Sequence, residues 1–138
     1  MDIYPMPFFN KLLVSDIEKS EKWYQQTLGF TSLFKFRNDQ QQVLMNHLRL
    51  NKYQDIMLIK GDNFTVGNSL YLNLLVDNIE TLAKQISPNI IINELREQPW
   101  NALEMTIQDP DGYLITLTQP HLAQKEFDKL IAKTKKHY

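Results

Sequence analysis

The side chains that most often carry chemistry are thinly spread in this sequence. Cys is absent from the 138 residues, which removes thiolate catalysis, disulfides and Cys-ligated metal together. The three histidines, His47, His121 and His137, are scattered, and a surface or structural role suits each better than metal ligation. What remains is a set of aromatic residues, Phe9, Tyr71 and Trp100, with Lys11, Asn73 and Glu104 as polar companions. Aromatic walls with a few polar contacts are the usual makeup of a pocket for an organic ligand. Large aromatics also fill cores, so Phe9 and Tyr71 carry that second reading as well. A Glu104 carboxylate facing Lys11 would be a proton-transfer pair or a structural ion pair, and the ion pair is expected. Trp23 and Tyr24 read as packing residues, and Arg96, Glu97 and Gln98 as a solvated loop.

Positioning these residues falls to a repeated unit. The segment FNKLLVSDIE (9–18) lies over YLNLLVDNIE (71–80) at an offset of 62 residues, with five of ten positions identical. Each copy continues into a helix start. Ser15 with Glu18 and Asp77 with Glu80 form the pattern of a capping box. Ile17, Ser20, Tyr24 and Leu28 then recur at helical spacing in the first copy, as do Ile79, Leu82, Ala83 and Ile86 in the second. Gly29 and Pro88 stop the two helices. Strand-like runs follow at 32–37, 42–50 and 55–60, then at 90–94, 103–108 and 113–118. Asp109-Pro110-Asp111-Gly112 suits a tight type I turn between the last two. Residues 123–136 form a further helix candidate with Phe127, Leu130 and Ile131 on one face, and Lys133, Lys135 and Lys136 complement its C-terminal dipole.

Composition limits the partners. Fifteen basic and sixteen acidic residues leave a formal net charge of -1, so no strong field draws in nucleic acid or a membrane surface. No window approaches the roughly 20 apolar residues of a membrane span, and the opening MDIYPMPFF lacks the order of a signal peptide. A cytoplasmic protein acting on a small organic molecule is the expectation, organised as a single domain with modules over about 6–60 and 68–119 and a C-terminal helix over about 121–136.

The runs LLVSDIEKSEKWYQQTLGF, LLVDNIETLAKQI and WNALEMTIQDPDGYLITL together resemble the vicinal oxygen chelate superfamily, the glyoxalase, bleomycin-resistance and extradiol-dioxygenase group, over roughly residues 6–119. The resemblance implies an α+β fold of two βαβββ modules whose mixed sheet curls into a cup, with helices outside and a ligand site inside. It also implies that metal-using members carry their ligands at the places held here by Phe9, Met57, Tyr71 and Thr116. Divalent metals need about three or four His or carboxylate ligands converging together, so no metal and no cofactor are expected.

Alternation places Phe9, Lys11, Leu13, Tyr71, Asn73 and Leu75 on the cup face if Leu12, Val14, Leu74 and Val76 face the helices. Glu104, Thr106, Thr116 and Thr118 then point inward, against Leu103, Met105, Ile107, Ile115 and Leu117, with Trp100 at the rim. The expected ligand-binding set is therefore Phe9, Lys11, Met57, Tyr71, Asn73, Trp100, Glu104 and Thr116. Likeness to the bleomycin-resistance branch implies metal-independent sequestration of an aromatic or amphipathic compound by a homodimer. Pro5 and Pro7 would then stiffen an arm that crosses to the partner. An enzyme of the lyase, isomerase or dioxygenase type is the alternative.

Overall fold

The computed structural model describes residues 3–122 and 124–135. Along the chain run β1 (Asn10–Val14), α1 (Ile17–Trp23) with a π-helical turn over Tyr24–Leu28, β2 (Thr31–Arg37), β3 (Val43–Asn51) and β4 (Gln54–Lys60). After a linker come β5 (Tyr71–Leu75), α2 (Ile79–Gln85), a 3-10 turn over Pro88–Ile90, β6 (Ile91–Gln98), β7 (Ala102–Gln108), β8 (Leu114–Pro120) and α3 (Gln124–Lys135). The expected βαβββ order thus appears twice. Ala123, Lys136 and His137 lie outside the described residues, as do the side chains of Phe127 and Lys135.

Each module forms its own four-stranded sheet, ordered β1-β4-β3-β2 and β5-β8-β7-β6. In the first, β1 runs parallel to β4, while β4, β3 and β2 are antiparallel neighbours. The chain divides into two compact units: residues up to Tyr71 with Gln108–Leu114, and Leu72–Ile107 with Ile115 onward.

Within the first unit the period-2 pattern decides the layers. Leu12, Val14, Leu48 and Leu58 are buried on one face with Ile17, Ser20, Tyr24 and Leu28 of the helical segment. Asn46 on that face donates to Glu21 of α1 at 2.8 Å. Burial of such aliphatic side chains, about 1.5–3 kcal/mol each, is what seats the helix. Gly29 ends the segment at φ 84°, a left-handed conformation that suits glycine. In the second unit Leu72, Leu74, Ile79, Ile86, Met105, Ile107, Ile115 and Leu117 are buried in the same alternating manner.

The helix starts differ from the capping-box expectation by one residue. Asp16 caps α1, its carboxylate accepting from the Lys19 N–H at 3.0 Å. Ser15 turns instead to Asp111, its hydroxyl donating at 2.7 Å and its N–H reaching both carboxylate oxygens at 3.2 and 3.3 Å. At α2 the cap is Asn78 rather than Asp77, without a side-chain hydrogen bond. The Ile79 N–H is satisfied by the Gln119 side chain at 2.8 Å. A tertiary acceptor has replaced the local one. Pro88 does not end α2 directly: the helix stops at Gln85, and Pro88 opens the short 3-10 turn.

Candidate functional site

The open face of the second sheet is polar. Asn73 on β5 donates to the Thr118 hydroxyl at 2.9 Å, and that hydroxyl donates to Glu104 at 2.5 Å. Arg96 on β6 is the register partner of Glu104. One strip of polar side chains therefore crosses all four strands, from an amide to a guanidinium. Beside it, the Thr106 and Thr116 hydroxyls pair at 2.9 Å. These hydrogen bonds orient the side chains and make a polar floor.

A groove of about 230 Å³ runs over the Glu104, Thr106 and Thr116 part of this floor, lined also by Asn93, Arg96, Gln98 and Trp100. Trp100 sits in the β6–β7 turn and is 63% exposed, so its ring is available as a wall. Asn101 beside it has φ 60°, a left-handed conformation that asparagine tolerates in tight turns. Arg96 and Gln98 correct the expectation of a loop at 96–98. Strand β6 continues through them, with register shifts between Ile91 and Asn93 and between Asn93 and Arg96. It lies at the sheet edge and has no buried residue, so the sequence carries no apolar alternation there.

Of the expected residues of module one, Lys11 and Met57 lie on the sheet face opposite α1, and Phe9 precedes β1. Met57 pairs with Lys11 on one side and His47 on the other, which fixes the register of β4. Lys11 is exposed, Phe9 half-buried and Met57 buried. Tyr71, at 53% exposure, and Asn73 lie on the solvent-facing side of β5, as alternation predicts.

A cluster that the sequence reading missed lies on the same face as Met57. Asp55, buried beneath Arg49, accepts from its Nε at 3.0 Å and its Nη2 at 2.8 Å, and meets His47 Nε2 at 2.5 Å. The Tyr4 hydroxyl donates to the other Asp55 oxygen at 2.7 Å and accepts from the Tyr53 N–H at 2.6 Å. The Tyr4 ring stacks under the Arg49 guanidinium at 4.2 Å. The N-terminal segment is thereby fastened to the β3–β4 hairpin of its own chain. The signal was there in principle: His47, Arg49 and Asp55 occupy same-face positions across a tight turn.

The DPDG turn forms as expected, with the Gly112 N–H on the Asp109 carbonyl at 3.1 Å. Asp109 also accepts from the backbone of Asp111 and Tyr113 and, deep in the first unit, from the Tyr24 hydroxyl at 2.7 Å. Burial pushes the Asp109 carboxyl above its ordinary range, although its donors pull the other way. The Tyr24 phenol is pushed well upward by burial and by the Asp109 charge.

Residues 8–117 match the Glyoxalase/Bleomycin resistance protein/Dioxygenase superfamily. The chain belongs to that superfamily. Solved structures of the same fold include TioX from Micromonospora sp. ML1, 17% identical, with 85% of this chain and 98% of that one aligned at a TM-score of 0.66. TnmS3, an antibiotic binding protein from Streptomyces sp. CB03234, is 23% identical over 87% of this chain and 98% of its own, also at 0.66. FosX, a fosfomycin resistance protein from Listeria monocytogenes, aligns over 87% and 97% at 0.66 with 12% identity. No curated protein matches the sequence.

The metal-binding places that the resemblance assigns are held by a phenyl, a thioether, a phenol and a hydroxyl, in Phe9, Met57, Tyr71 and Thr116. The Thr116 hydroxyl is already paired with Thr106. Among the described residues no group of three or more His, Asp or Glu side chains is placed to hold a metal ion. These donors do not fit a divalent cation.

Proposed function

We propose that this member of the superfamily binds a small aromatic or amphipathic compound without a metal and without turning it over, acting as a homodimeric sequestering protein. The observation that carries the reading is the polar floor of Asn73, Thr118 and Glu104 beside the exposed Trp100 ring. Such a floor supplies directional contacts while an indole wall supplies stacking area. The ligand-binding set in this reading is Phe9, Lys11, Met57, Tyr71, Asn73, Trp100, Glu104 and Thr116. The antibiotic-binding description of TnmS3 makes aromatic antibiotics the first compounds to try.

Thermal unfolding against a panel of aromatic antibiotics and divalent metals tests it. A compound that binds only the folded state at a hundredfold excess over its Kd stabilises by about 2.7 kcal/mol. The expected result is a raised midpoint with at least one aromatic compound and none with Zn, Mn, Ni or Fe. Stoichiometric metal in protein purified without chelator would overturn the reading.

A further inference from the structure

The first sheet's register lays out its solvent-side face as a grid. One row across the strands is Lys11, Met57, His47 and Phe34, and the next is Leu13, Ile59, Met45 and Phe36. Asp55 and Arg49 pair in the row on the other side of Met57 and His47. Asp55 is burdened by burial, but donation from Arg49, Tyr4 and His47 outweighs that and holds its carboxyl below its ordinary value. A carboxylate only accepts, so the His47 nitrogen facing it, Nε2, must carry the proton. In the neutral ring this leaves the lone pair on Nδ1. Among the described residues no side-chain nitrogen or oxygen is both buried and without a partner, and the His47 side chain is 13% exposed. Nδ1 therefore reaches accessible space.

We propose that His47, oriented by Asp55, is a hydrogen-bond acceptor for a bound small molecule, and that the row from Lys11 to Phe34 takes a planar aromatic compound carrying an anionic group and a hydroxyl. Neighbouring strands lie about 4.8 Å apart, so Lys11 and His47, two strands apart, stand on backbones about 10 Å from each other. That span suits one substituted ring, with its anion at the Lys11 ammonium and its hydroxyl at Nδ1. Met57 between them offers a polarisable floor, and Phe34, 57% exposed, stands beside His47 as an aromatic edge. The inference deepens the sequestering reading and rests on it, adding His47 and Phe34 and naming the ligand class.

The experiment uses the full chain and has two arms. Nitrogen-15 NMR of the free protein, at a pH where the His47 ring is neutral, should show the proton on Nε2 and Nδ1 bare, a preference that Asp55→Asn weakens. A neutral ring protonated on Nδ1 overturns the proposal. In the second arm, 4-hydroxybenzoate should bind roughly 3- to 10-fold more tightly than 4-methoxybenzoate, the value of one hydrogen bond, and should shift the Nδ1 resonance. His47→Phe should abolish that ratio while Lys11→Met weakens both probes. If His47→Phe does not fold, His47→Leu is read in its place. Equal affinity for the two probes, or a ratio that survives loss of the imidazole, overturns the role of His47 and leaves sequestration standing. Failure of both probes also overturns it, and sequestration is then judged by the antibiotic panel alone.

Discussion

Replacing Tyr24 by Phe removes one oxygen and keeps the ring. Tyr24 is fully buried, and its hydroxyl is the donor that reaches Asp109 Oδ2. The Asp111 and Tyr113 N–H groups both bond the other oxygen. The variant therefore leaves a buried carboxylate oxygen short of a donor. A hydrogen bond to a charged group contributes about 1.5–3 kcal/mol, and for a domain of this size each kcal/mol corresponds to about 3–5 °C in Tm. Urea unfolding at pH 7 should show a loss of about 2 kcal/mol with an unchanged m value, and Tm should fall by about 5–12 °C. The pH dependence has a definite sign. Asp109 has its folded-state pKa raised above 3.8, so its ionisation costs stability as pH rises from the unfolded value through the folded one. Losing Tyr24, which lowers that pKa, moves it further up, so the deficit of the variant should be smaller near pH 4 and full at pH 7. A double-mutant cycle with Asp109→Asn isolates the pair. A loss below about 0.5 kcal/mol at pH 7, the range of an ordinary surface substitution, or a coupling near zero would refute the argument.

Four further outcomes can be checked with the same unfolding assay. Asp55→Ala removes the buried carboxylate that accepts from Arg49, Tyr4 and His47 and should cost about 3–5 kcal/mol. In the parent protein the lowered Asp55 pKa means its stabilisation is present above the unfolded value and fades as pH falls through the folded one. Stability should also fall above pH 10, because Tyr24, Tyr113 and Tyr4 all have raised pKa values. The unfolded chain then releases protons that the folded chain holds, and a flat profile to pH 11 would contradict this. Gly61→Ala should destabilise by about 1–3 kcal/mol, since an added Cβ would lie 2.8 Å from the Phe64 ring and 2.9 Å from Leu13 Cβ.

The sequence was most informative where one period governed the chain. Leu12 and Val14 on the buried helix side, with Lys11 and Leu13 on the opposite face, follow from alternation against a single buried face. The helix from Ile17 to Leu28 follows from apolar spacing, although nothing in the spacing signals that its last five residues take a π-helical turn. Local rules failed where a distant group competed. Ser15 has the right chemistry for a cap, yet Asp111, 96 positions away, takes its hydroxyl. The far end of one edge strand failed for a different reason: β6 buries no residue, so its stretch beyond Glu94 carries no pattern to read. At the candidate site, parity groups Glu104 with Thr106 and Thr116 with Thr118, and these four side chains hydrogen-bond to one another in the second sheet. The His47 and Asp55 pairing was not legible, because it depends on the β3–β4 register, which becomes fixed only once Arg49 and Asp55 are seen to face each other.

Tyr4 makes the start of the chain part of an interior charge network. Its hydroxyl bridges the Asp55 carboxylate and the Tyr53 amide, and its ring sits against Arg49. The anion that orients His47 is thus completed by a residue 43 positions earlier, outside any strand or helix. Trimming or extending the polypeptide ahead of Asn10 amounts to an edit of an imidazole's electronic environment. Two preparations that differ only in those few residues would be expected to differ in how firmly the Asp55 carboxylate, and with it the His47 ring, is held in place.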